Sequence, residues 1–114
     1  MSRDYPEYRN ELNKLALRLR KEIPGTMEGF GALRAKTMVG GALDVKSKEL
    51  MALAISIAIR CQGCIAYHVK GALDHGAARE EVAETIGLAI YMGGGPSLVY
   101  GCEALEALDQ YAAG

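Results

Sequence analysis

The chain has 114 residues, with 13 Lys and Arg against 14 Asp and Glu, for a formal net charge of −1. That length suits one domain with a modest core, and the even charge gives no electrostatic reason to expect nucleic acid or an anionic membrane as partner. Half of the residues are hydrophobic, aromatics are only 6% and Trp is absent, a composition of packed helices rather than of a β-sandwich.

The first helix is expected from about Pro6 to Glu22, with Leu12, Leu15, Ala16 and Leu19 as its apolar stripe. Pro24-Gly25 breaks it, and Thr26 is the expected N-cap of a second helix reaching about Val39. Gly40-Gly41 is the next break. A third helix starts near Ser47, read as its N-cap, and continues to about Arg60. A fourth begins around Cys61 and Cys64 and ends at His75, with Gly76 as the C-terminal cap. A fifth covers about Arg79 to Met92. Gly93-Gly94-Gly95 is a stop without the spacing of a phosphate-binding loop, and Pro96 opens a sixth helix reaching about Tyr111. No segment alternates with a period of two, so the expected fold is all-α with about six helices and no sheet.

The N-terminal run Met-Ser-Arg-Asp-Tyr-Pro-Glu has no apolar signal region. The longest apolar run, Leu50 to Ile59, is interrupted by Ser56 and too short to span a bilayer. A cytoplasmic chain is therefore expected. The helices at 47–60 and 80–92 are apolar around most of their circumference, more than so small a chain easily hides, so a homo-oligomer is expected.

The chemistry gathers in the run Arg60-Cys61-Gln62-Gly63-Cys64-Ile65-Ala66-Tyr67-His68. At roughly 100° per residue, Cys61, Cys64 and His68 fall on one helical stripe. Two thiols three apart can close a disulfide or share a metal. Free N–H groups and the positive end of the dipole at a helix start favour a thiolate, the reactive form of cysteine. The second sulfur can then attack the mixed disulfide or sulfenic acid that forms. Imidazole titrates near neutrality, so His68, one turn after Cys64, is suited to take and return the thiol proton. Glu49 opens an otherwise apolar helix, on a stripe with Leu53, Ser56 and Arg60 that spans roughly 40°. Its carboxylate could orient His68 directly or through water. The catalytic set is thus Cys61, Cys64, His68 and Glu49.

Duller readings of the same residues stay open. Cys61, Cys64, His68 and Glu49 would also suit zinc in a structural module, although no second Cys pair completes a standard site. Cys102 is read as a buried small hydrophobe. His75 is read as a helix-end charge complement, and Tyr67 as a core or interface residue.

The run from Glu49 to His68 resembles the carboxymuconolactone decarboxylase superfamily, in particular its alkylhydroperoxidase D-like branch. That branch carries a glutamate, eleven intervening residues, then Cys-x-x-Cys-x-x-x-His, and the spacing is intact here. Lys48-Glu49-Leu50 before the apolar helix and His75-Gly76-Ala77 after the Cys helix are similar too. The resemblance implies an all-α fold assembling into trimers or hexamers, and peroxidase or disulfide reductase activity without a bound cofactor or resident metal. By position it makes Cys64 the thiol that attacks peroxide, Cys61 the resolving thiol, His68 the proton shuttle and Glu49 its relay. Substrates would be a hydroperoxide or disulfide, and the electron donor a thiol reductant protein. The classical decarboxylases of the superfamily lack the Cys pair; a lactone-decarboxylase activity is the alternative. Full alkylhydroperoxidase D proteins contain two related halves and this chain matches one, so a partner subunit is expected to complete the cleft.

Overall fold

The computed structural model describes residues 3–113, which form six helices: α1 (Tyr5–Glu22), α2 (Pro24–Thr37), α3 (Val45–Ala58), α4 (Gln62–Asp74), α5 (Arg79–Gly93) and α6 (Gly95–Ala113). Helices α3 to α6 pack on one another around Leu53 and Ile57 of α3, Ile65, Ala66, Val69 and Ala72 of α4, Val82 and Ile86 of α5, and Ala104, Ala107 and Leu108 of α6. Helix α1 lies against α4 and α6 and seals that core with Tyr5. Helix α2 packs appreciably only on α1 and buries none of its residues. None of the described helices is long and apolar enough to cross a membrane.

Helix starts differ from expectation where two capping side chains compete. Asp44, not Ser47, caps α3: its carboxylate accepts the Ser47 N–H at 2.8 Å, which puts Ser47 inside the first turn. A carboxylate at an N-cap also meets the positive end of the helix dipole, so it outcompetes a hydroxyl three residues later. Thr26 likewise lies within α2, which starts at Pro24 behind Ile23 and has no side-chain cap. Proline's fixed φ and missing donor suit the first helical position.

Two turns of one kind bracket α4. At the end of α3, Arg60 N–H donates to the Ile57 carbonyl at 3.1 Å and Cys61 N–H to the Ser56 carbonyl at 3.0 Å. Arg60 sits at φ 61°, in the left-handed region. At the end of α4, Gly76 at φ 86° repeats the arrangement with Leu73 and Ala72. These are Schellman closures, in which the left-handed residue is usually glycine. The first reverses the chain within three residues and delivers Cys61 directly to the start of α4.

In the run between α5 and α6, only Gly94 leaves the helices. It is the C-cap of α5, at φ 71°. Gly93 completes α5 instead, where any Cβ would fall 1.9 Å from the Ser97 hydroxyl.

Candidate functional site

Cys61 is the N-cap of α4. Its backbone is extended and its Sγ accepts the Cys64 N–H at 3.2 Å. A helix start leaves its first amide groups without intrahelical acceptors, and here one of them is aimed at sulfur. Cys61 and Cys64 are joined as a disulfide across a Cα–Cα distance of 5.2 Å. Both residues are half-buried.

One turn beyond Cys64, His68 reaches from α4 to α3. Its Nδ1 lies 2.7 Å from Glu49 Oε1. The Glu49 side chain is 6% exposed and that of His68 24%, so the pair has a buried carboxylate end and a ring that solvent can reach. A carboxylate accepting from Nδ1–H fixes the neutral ring as the Nδ1–H tautomer and leaves the lone pair on Nε2. The contact is direct, with no water needed between the groups.

Space for that carboxylate comes from Gly71. A Cβ on this residue would lie 2.4, 2.5 and 2.7 Å from Oε2, Cδ and Oε1 of Glu49. Gly71 is three residues after His68, on the same stripe of α4. A glycine mid-helix costs about 0.5–1 kcal/mol relative to alanine, and at Gly71 that cost is offset by the room it leaves for the carboxylate.

The stripe expected on α3 divides. Glu49, Leu53 and Ser56 are buried, but Ser56 directs its hydroxyl to the Ala52 carbonyl at 2.6 Å and offers nothing to the site. Arg60 lies beyond the end of α3 and is exposed. Cys102 is also exposed, contrary to the reading as a buried hydrophobe. The inward face of α6 is Ser97, Gly101, Ala104, Ala107 and Leu108, and Cys102 is about 100° away from Gly101 around the helix. Tyr67 faces α1: its hydroxyl donates to Asn13, and the Arg9 guanidinium lies 5.2 Å from its ring centroid. His75 is the C-cap of α4, with Nδ1 donating to the Gly71 carbonyl at 2.9 Å. Among the described residues, no three His, Cys, Asp or Glu side chains converge as a metal-ligand set.

Three side chains near the Cys pair carry no local sequence signal. Gln62 Nε2 donates to Glu103 Oε1 of α6, and Tyr5 Oη donates to the same oxygen at 2.7 Å. Burial first, then the Glu103 hydrogen bond and charge, push the Tyr5 phenol far above its ordinary range. These contacts join positions 98 and 41 residues apart, beyond the reach of any motif.

The fold is all-helical, with a Cys-x-x-Cys pair at a helix start and a Glu–His pair whose histidine lies one turn further along that helix. The profile of the carboxymuconolactone decarboxylase family matches residues 24–107, and the chain belongs to that family. An uncharacterised protein of Cupriavidus necator is 36% identical over 110 residues, covering 96% of both chains. An uncharacterised Haemophilus influenzae protein is 36% identical over 107 residues, covering 94% of this chain and 95% of its own. Among solved structures, a carboxymuconolactone decarboxylase family protein from Legionella pneumophila superposes with a TM-score of 0.92 at 42% identity, over 97% of this chain and 99% of its own. A Thermotoga maritima family protein, suggested to be involved in antioxidative response, gives 0.81 at 31% identity over 97% and 92%.

Proposed function

We propose that the chain is a thiol-dependent peroxidase or disulfide oxidoreductase whose redox centre is the Cys61–Cys64 pair. The observation that carries this reading is the disulfide at the start of α4, with the His68–Glu49 pair one turn away. The suggested antioxidative role of the Thermotoga relative supports it.

In the reduced enzyme, His68 takes the Cys64 thiol proton on Nε2, and Glu49 stabilises the imidazolium that results. The Cys64 thiolate attacks the distal oxygen of a hydroperoxide. The O–O bond breaks, Cys64 becomes a sulfenic acid, and the alkoxide leaves as alcohol with the proton from His68. The Cys61 thiol then attacks the sulfenic sulfur, expelling water and closing the Cys61–Cys64 disulfide. A dithiol reductant protein restores both thiols by exchange, and is itself oxidised to a disulfide.

A homo-oligomer, trimer or hexamer, is part of the proposal. Phe30 and Leu33 of α2, Leu88, Tyr91 and Met92 of α5, and Leu98 and Val99 of α6 are all more than half exposed. Large exposed apolar side chains on three helices are what contact between subunits would cover.

Thiol counting with intact mass, before and after one equivalent of hydroperoxide, tests the chemistry. The reduced chain should lose two of its three thiols and two mass units, mapping to Cys61–Cys64, while Cys102 stays free. Cys64→Ser should abolish peroxide turnover and Cys61→Ser should trap an oxidised or mixed-disulfide form. Unchanged turnover in Cys64→Ser refutes the proposal.

A further inference from the structure

Only Gln62 and Gly63 separate the two sulfurs, and each is held by a different helix. Gln62 donates its side-chain amide to Glu103 of α6. Gly63 lies so close to α1 that a Cβ there would meet Leu12 Cδ1 at 3.0 Å. Glu103 is in turn fixed by Tyr5, which is 1% exposed. Tyr5 is anchored through its backbone: its N–H donates to Gln110 Oε1 at 2.8 Å, and Gln110 Nε2 donates to the Arg3 carbonyl at 2.7 Å. These bonds strap Arg3 and Tyr5 to α6, and the buried phenol aims one carboxylate oxygen at the turn between the cysteines.

We propose that Glu103 is a positioning residue for the Cys61–Cys64 turn: held by Tyr5, its carboxylate grips Gln62 and keeps the two sulfurs arranged for disulfide closure. The inference rests on the redox reading of that pair. Closing the ring requires one sulfur to meet the other at the end of a two-residue turn. Each conformation removed from that turn in the dithiol raises the effective concentration of one thiol at the other. Glu103 never touches the sulfurs in this role; it acts through Gln62.

The geometry separates positioning from charge. Tyr5 Oη and Gln62 Nε2 both donate to the same oxygen, Oε1. Glutamine at position 103 offers one carbonyl oxygen able to accept both while removing the charge. Leucine there accepts neither. Gln62→Ala cuts the link from the other side and leaves the Tyr5–Glu103 pair whole.

The test is the equilibrium with glutathione. The protein dithiol and one glutathione disulfide give the Cys61–Cys64 disulfide and two glutathione thiols, and acid-quenched samples are read by intact mass. Glu103→Leu and Gln62→Ala should each lower the effective concentration of the pair about tenfold, the loss expected from one hydrogen bond. Glu103→Gln should stay within about twofold of the unsubstituted chain, since both donors keep their acceptor. A wild-type constant in Gln62→Ala overturns the proposal, even if Glu103→Leu fails to fold. A Glu103→Gln constant as low as that of Gln62→Ala also overturns it, because charge and not grip would then be responsible. Peroxide does not enter this equilibrium, so a chain without peroxide turnover still reports on the grip. A pair that does not exchange with glutathione at all refutes both this inference and the redox reading.

Discussion

Gly71→Ala should change sign with its neighbour. At most mid-helix positions alanine in place of glycine stabilises by about 0.5–1 kcal/mol. At Gly71 the new methyl would lie 2.4–2.7 Å from the Glu49 carboxylate, well inside contact distance, so the carboxylate must move. Glu49 is the flexible member, but it is buried and hydrogen-bonded to His68 at 2.7 Å. Moving it sacrifices a hydrogen bond to a charged group, about 1.5–3 kcal/mol. The lower half of that range applies here, because His68 is partly open to solvent. Setting this against the helix-propensity gain leaves a net loss of about 1 kcal/mol, or a fall in Tm of about 4 °C for a chain of this size. In a Glu49→Ala background the obstruction is gone and only the propensity term remains, so the same substitution should raise stability by about 0.5–1 kcal/mol. Urea unfolding of the four proteins, all with the disulfide intact, measures both differences. Gly71→Ala stabilising the unsubstituted chain, or acting with one sign in both backgrounds, refutes the view that Gly71 exists to seat the carboxylate.

Two further perturbations probe how α3 and α4 are held in place. Arg60 occupies a left-handed position at φ 61°, so Arg60→Gly should leave the urea midpoint unchanged or higher, whereas Arg60→Val should be about 1–2 kcal/mol less stable than Arg60→Gly, because a β-branched residue is strongly disfavoured there; equal midpoints for the two variants count against the strain argument. The Asp44 carboxyl is held below the usual carboxylate range, first by its side-chain hydrogen bond with Ser47. A depressed carboxylate contributes stability above its unfolded value and loses it as pH falls through the folded one; Asp44→Asn, which keeps a capping oxygen, should therefore flatten the stability profile below about pH 4, and an unchanged acid limb would rule out a role for the Asp44 charge.

The six helices were legible because the chain punctuates them locally. Pro24, Gly76 and Gly94 each stand where backbone rules put a start or a stop, and the apolar spacing between them does the rest. Caps were read less well where two short polar residues lay three apart, as Asp44 and Ser47 do, since either can serve and the dipole decides. The site divides along the same line. Cys64 and His68 share one helix and Cys61 caps it, so their proximity follows from local sequence alone. That Glu49 touches His68 depends on how α3 packs on α4, which the period of neither helix specifies. Gly71 was within reach, being on that stripe, but only once a buried carboxylate was known to face it. Glu103 and Tyr5 lay beyond sequence reasoning, because their meeting with Gln62 is a product of the whole bundle. Cys102 was misread because composition says what a residue favours, whereas its position on α6 sets which way it points.

Several destabilising choices lie on α4 or on the helix and turn that precede it. A carboxylate is buried in an otherwise apolar helix, where a charge is costly unless it is paired. Arginine takes a backbone conformation that favours glycine, at the residue preceding Cys61. Two glycines, Gly63 and Gly71, interrupt α4, each with an entropic penalty of about 0.5–1 kcal/mol relative to alanine. Each has a distinct geometric result at the Cys pair. Arg60 turns the chain so that Cys61 caps α4, Gly63 lets α1 approach the turn, and Gly71 admits the carboxylate that meets His68. Strain and buried charge persist where the surrounding structure over-determines them. Here that surrounding structure is α1, α3 and α6 closing on α4, so the costs carried around the Cys pair are what the proposed redox role would account for.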